Sequence, residues 1–225
     1  MPEIRKAFHE EMHELEADVV RLAALATEAI EGGSRALLNF DLAAADRVIA
    51  DDVVIDDLAH SIEDRTYLIM ARQQPMATDL RTLVTVLRGI HELERIGDLT
   101  WTVTKRLHSS GADLLKEDSR DLSQMAETLE KMLDRIYRGF MDRDVNAASW
   151  VLQTDSTMNQ TCRAIFHRHL ESTDRRRRDY STNLLFIAQA FERAGDHTKN
   201  LAEELFHLVE GRSVRHEVKR HNRDS

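Results

Sequence analysis

Glu94-Arg95-Ile96-Gly97-Asp98 recurs, 98 residues later, as Glu192-Arg193-Ala194-Gly195-Asp196. Thr102 follows the first copy and Asn200 the second, each four residues beyond the last acid. Both copies lie in stretches that read as long helices. Positions four apart on a helix drift by only about 40°, so they stack on one face. Each copy therefore presents two carboxylates and a third polar oxygen as one stripe. Such a stripe, delivered twice, points to two similar cation sites on a duplicated scaffold.

The repeat extends outward from the motif. At an offset of 103, Ala36–Asp41 falls on Gly139–Asp144, Val48 on Val151, Asp52 on Asp155, Ile55 on Met158 and Ile62 on Ile165. Around the acidic motif the offset is 98, which matches Val86 to Leu184, Leu93 to Phe191, Val103 to Leu201 and Leu107 to Leu205. A small deletion between the two segments reconciles the offsets. Half-chains of about 100 residues suit a small domain.

Eight glycines and two prolines in 225 residues, with no alternating β-branched run, favour an all-α fold. Leu184, Ile187, Phe191, Ala194, Thr198, Leu201, Leu205 and Leu208 form an unbroken heptad seam. The pattern predicts helices over 3–38, 42–72, 76–109, 118–141, 145–172 and 179–210. Pro75 marks the clearest break. Three long helices per half, joined by short turns, read as two tandem three-helix bundles. The predicted domains are 1–112 and 113–212, followed by a polar tail over 213–225.

A formal charge of −9 argues against nucleic acid as a partner. The basic run Arg175–Arg178 reads either as a solvated loop or as a docking spot for an acidic group. No secretory h-region and no spanning apolar stretch is visible. Cys162, the lone cysteine, fits a reducing compartment and falls on an apolar helical spacing. It reads as a small buried hydrophobe.

Heptad registration sets Glu192, Asp196 and Asn200 off the main seam, and likewise Glu94, Asp98 and Thr102. The stripes then face solvent or a neighbouring surface. Gly97 and Gly195 sit inside helices, each at a cost of about 1 kcal/mol against alanine. A close approach by a neighbouring helix or a ligand shell would explain them. Asp52 and Asp56 lie on the preceding helix, and their second-half equivalents are Asp155 and Asn159. With Val48, Ile55 and Ile62 as the seam, Asp52 takes a core-type position. A cation or an arginine, Arg95 or Arg193, would resolve its burial, and spacing leaves both readings open. His9-Glu10-Glu11-Met12-His13 matches a zinc-peptidase pattern, but on an N-terminal helix with no cleft to complete it. A ferritin-like di-iron site fails on the reversed order of His91 and Glu94.

The chain resembles the PhoU family of bacterial phosphate-uptake regulators. The resemblance rests on Gln73-Gln74-Pro75-Met76-Ala77-Thr78-Asp79-Leu80-Arg81, on Val48-Ile49 with Asp52, Ile55 and Asp56, and on the two acidic motifs, the second running on to Asn200. It spans about residues 5 to 210. It implies a pair of three-helix bundles and a cytoplasmic, non-enzymatic negative regulator. That regulator would link the Pst transporter ATPase to a PhoR-type sensor kinase, peripheral to membrane complexes and as a possible homodimer. It also implies metal clusters of iron or zinc, with magnesium or calcium as further options for the oxygen donors. By this match the first site uses Asp52, Asp56, Glu94 and Asp98. The second uses Asp155, Glu192, Asp196 and Asn200. The chain departs from the pattern at Thr102 and Asn159. The other function class open to such a scaffold is metal storage or metal-dependent catalysis.

Overall fold

The structure, a computed structural model, describes residues 2–110, 114–170 and 178–212. Every element among them is a helix: α1 Pro2–Asn39, α2 Leu42–Gln73, α3 Thr78–Ser110, α4 Lys116–Asp142, α5 Val145–Leu170 and α6 Arg178–Glu210. Helices α1–α3 form one three-helix bundle and α4–α6 the second. The halves join through α3 on α6 and α1 on α4. All eight residues of the α6 seam are buried, as the heptad spacing requires. Each buried leucine, isoleucine or phenylalanine contributes about 1.5–3 kcal/mol, and one continuous core runs through both halves. Thr198, inside the seam, satisfies its hydroxyl on the Ala194 carbonyl at 2.9 Å.

The turns repeat as closely as the helices. Phe40 and Arg143 both take left-handed backbone, with φ of 52° and 53°. The amide after each reaches back to close the helix end: Asp41 N donates to the Ala36 carbonyl and Asp144 N to the Gly139 carbonyl, both at 2.9 Å. The aspartates then cap the next helix. Asp41 Oδ1 accepts from Ala44 N, and Asp144 Oδ1 from Asn146 N, again at 2.9 Å. The break at Pro75 is real. Gln74 is left-handed there, and α3 starts at Thr78 rather than at residue 76.

A second repeated device is an ion pair between the first and second helices of each half. Arg65 binds Asp18 and lies 3.3 Å from Glu14. At the same offset of 103, Arg168 binds Asp121 and also Asp118. Asp118 is fully buried and accepts from Tyr180 Oη at 2.7 Å, with His169 Nε2 at 3.0 Å. This network ties the start of α4 to the end of α5 and the start of α6. Of the basic run, only Arg178 lies within the described residues, and the tail over 213–225 lies outside them.

Candidate metal centre

The first acidic stripe faces α2. Asp52, Asp56 and Asp98 each bring a carboxylate oxygen within 4.8 Å of the other two. Gly97 makes this possible. A Cβ there would stand 3.3 Å from Asp52 Oδ1 and 3.3 Å from Ile55 Cδ1, so its absence lets α2 close onto α3. Asp52 is half-buried, with Ile55 buried beside it and Val48 partly exposed. Its carboxyl is pushed from 3.8 up to about 6, first by burial and then by the charges of Asp56, Asp98 and Glu94. Asp56 is raised for the same reasons. Arg95 does not neutralise Asp52; it turns outward to Asp98 on its own helix, at 3.0 Å. Four carboxylates thus crowd one groove whose arginine pairs with Asp98 alone. That donor set fits a hard cation. Asp52, Asp56 and Asp98 would hold it, with Glu94 beside them.

The second half resolves the same crowding differently. Asp155 is buried, and its Oδ2 accepts from Lys199 Nζ at 3.0 Å and from Asn159 Nδ2 at 3.2 Å. Its Oδ1 is buried with no hydrogen-bond partner. Glu192 is raised by burial, then by Asp196 and Asp155. Asp196 lies at the rim, exposed by area, yet partial desolvation and the Asp155 charge raise it as well. Lys199 remains charged, because hydrogen bonding and attraction to Asp155 outweigh its desolvation. Its first-half equivalent is Trp101. An ammonium therefore occupies in the second half the electrostatic role left open in the first. The ion pair and the cation, alternatives at the level of sequence, are each favoured in one half. Gly195 reflects this looser site, since a Cβ there would meet Met158 at an ordinary 3.5 Å.

Asn200 departs from the expected set. Its amide donates to Glu92 Oε2 at 3.0 Å, and His197 Nδ1 lies 2.6 Å from the same oxygen. All three lie across the α3–α6 junction, one helix face away from Asp155. The heptad reading placed Asn200 in line with Asp196 but could not show that α3 passes on that side. Arg193 is exposed, and its charge partly offsets the crowding on Glu192 and Asp196. Lys199 was missed by sequence reasoning. Its signal was the replacement of Trp101 by a basic residue one turn beyond an acidic stripe.

Other sequence features take ordinary places. His9 and His13 project into solvent from α1, whose Phe8 and Met12 are buried. Cys162 is buried, and its thiol is pushed up to about 11 by that burial, so it is inert at neutral pH. No helix among the described residues is long and apolar enough to cross a membrane.

Comparison with known proteins matches this architecture twice along the chain. The family model described as the PhoU domain covers residues 19–107 and 122–205. The chain belongs to the PhoU family. A relative from Rhizobium meliloti, named a phosphate-specific transport system accessory protein PhoU homolog, is 32% identical over 92% of this chain and 89% of its own length. A Caulobacter vibrioides relative of the same name is 31% identical, covering 93% and 92%. The crystal structure of PhoU from Pseudomonas aeruginosa aligns with a TM-score of 0.84 and 25% identity, covering 91% of this chain and all of that one. The phosphate transport system regulatory protein PhoU from Streptococcus pneumoniae gives a TM-score of 0.84, with 26% identity and coverage of 92% and 99%. PhoU-family membership thus extends over both halves, including both acidic stripes.

Proposed function

We propose that this chain is an accessory regulator of a phosphate-specific transport system and acts by binding rather than by turnover. The observation that carries the reading is near full-length similarity to relatives bearing that name, at 32% identity over 92% of the chain. The proposal extends to a cytoplasmic negative regulator that contacts the transporter's ATPase and a PhoR-type sensor kinase. A net charge of −9 supports electrostatic approach to basic faces of such partners. The half-exposed acidic groove between α2 and α3 supports cation binding on a surface available to a partner. An enzyme site would instead enclose its metal and keep a position for substrate. By donor chemistry the first half is the better cation site, and Lys199 makes the second half less dependent on one.

Deleting the gene should raise phosphate-starvation gene expression while phosphate is plentiful, and this chain supplied in trans should restore repression. Unchanged expression, after deletion of any second family copy as well, would refute the regulatory reading. Elemental analysis of protein purified without chelator tests the metal separately. Absence of bound iron, zinc, magnesium or calcium would leave the regulator without its cation.

A further inference from the structure

The two halves part at one end of their junction. A half-open cavity of about 500 Å³ lies there, between the middle of α1, the first half of α3 and the last turns of α4 and α6. That volume is typical of a small-molecule site. The duplication supplies an internal control. At the pseudo-equivalent place, lined by Ile30, Ser34, Val103 and Phe191, only about 10 Å³ remains. These four residues correspond to Leu133, Tyr137, Leu201 and Leu93, all of which line the large cavity. Tyr137 and Leu201 are bulkier than Ser34 and Val103, so the extra space comes from elsewhere, along α3. Along α3 the cavity wall carries Thr82, Thr85 and Gly89, where α6 carries Tyr180, Asn183 and Ile187.

The cavity wall is mostly apolar. Its polar side chains are Glu16, Thr27, Thr82, Thr85, Tyr137 and Arg143; Thr82 and Arg143 lie at helix ends, and Leu93 and Leu133 lie further in. Thr85 is 5% exposed, and its hydroxyl is buried without a hydrogen-bond partner. A buried unpaired hydroxyl is costly, and a ligand oxygen would satisfy it. At the mouth, Glu16 sits 3.7 Å from His13, whereas Arg143 has no ion-pair partner among the described residues. His13 offsets Glu16 only when protonated, and Arg143 supplies the fixed positive charge at the mouth.

The geometry points to a binding site for a free long-chain carboxylic acid. The carboxylate lies at the mouth, facing Arg143 and accepting from the Thr85 hydroxyl, and the alkyl chain runs inward along Leu93 and Leu133. Carboxylate paired with guanidinium, and methylenes on an apolar wall, match both parts of the cavity.

The test is binding of a fluorescent polyene fatty acid to the full chain, displaced by palmitate. Wild type should bind one equivalent saturably, and palmitate should compete. Gly89→Leu should weaken binding at least tenfold. A Cβ at Gly89 meets only Leu201 at 3.7 Å, so the added side chain has room to enter the cavity without breaking α3. Ala23→Phe, from the α1 wall, is the second filling variant should the first fold poorly. Arg143→Gln and Thr85→Val should each weaken binding severalfold. Absence of saturable binding by wild type, or unchanged binding in both filling variants, overturns the proposal. Hexadecanol competing as well as palmitate overturns the carboxylate assignment. A dimer that both filling variants disrupt, with no acid bound, gives the cavity to a second copy and also overturns it.

Discussion

Asp52→Asn should stabilise the cation-free protein and abolish its stabilisation by cations. The Asp52 carboxyl is pushed from 3.8 to about 6 by burial and by three neighbouring acids. A displacement of that size is worth about 3 kcal/mol at neutral pH as an upper bound. The side chain is only half-buried, so solvent screening reduces the figure to about 1–2 kcal/mol. Asparagine removes the charge, keeps the shape and can donate to Asp56 or Asp98. For a chain of this length 1 kcal/mol moves the melting temperature by about 2–4 °C, so the variant in chelator should melt about 2–8 °C higher. The sign with pH is fixed by the direction of the shift. The carboxyl's raised value means that its cost is absent below about pH 4 and complete above about pH 6. The gap between variant and wild type should therefore narrow to about half as the pH falls from 7.5 to 5. Added divalent cation should reverse the order, since a ligand at a hundred times its dissociation constant stabilises by about 2.7 kcal/mol. Thermal unfolding with chelator and with metal, at both pH values, measures all of this. A cation-free variant that melts lower than wild type, or one that keeps the full metal response, would refute the reasoning.

Further predictions follow from the asymmetry of the halves. Lys199→Met leaves the buried Asp155 carboxylate unpaired and should cost about 2–4 kcal/mol, largely recovered in Lys199→Met with Asp155→Asn; denaturant titration of the two checks it. Gly97→Ala pushes on Asp52 and Ile55 at 3.3 Å and should weaken cation binding. Gly195→Ala meets only an ordinary contact and should be neutral or stabilising by up to about 1 kcal/mol; parallel melting curves and metal titrations separate them. Arg168→Met strands the fully buried Asp118 with only His169 and Tyr180, and should cost about 3–5 kcal/mol. Arg65→Met, whose partners are more exposed, should cost about 1 kcal/mol, and urea midpoints for the pair decide the order.

The helices and their pairing were legible in the sequence because both depend on periodicity. The α6 seam was read residue for residue, and Pro75 marked a true break. The close approach at Gly97 was legible too, because a glycine inside a helix needs a reason. That Asn200 bonds Glu92 on α3 was not legible, because registration on one helix does not reveal which neighbour passes which face. The Arg65 and Arg168 pairs were invisible for the same reason: they join helices about 50 residues apart, and nothing local distinguishes them from surface charges.

Duplication explains why the two acidic sites need not share one chemistry. A carboxylate held off its ordinary ionisation can be relieved by a bound cation or by a covalently attached one. The first relief responds to the cell's metal supply; the second is constant. Asp52 faces only acids and the outward-turned Arg95, while Asp155 has Lys199 at 3.0 Å. If the first half binds the proposed cation, its stability would vary with cation supply, whereas the second half would carry its own ammonium. Introducing the missing ammonium tests this division. Trp101→Lys places a lysine at the position equivalent to Lys199, within one turn of Asp98. It should blunt the stabilisation of the first half by cations and leave the helical content unchanged, as circular dichroism would show. If the variant retains the wild-type metal response, the lysine in the second half is incidental and the two sites are alike after all.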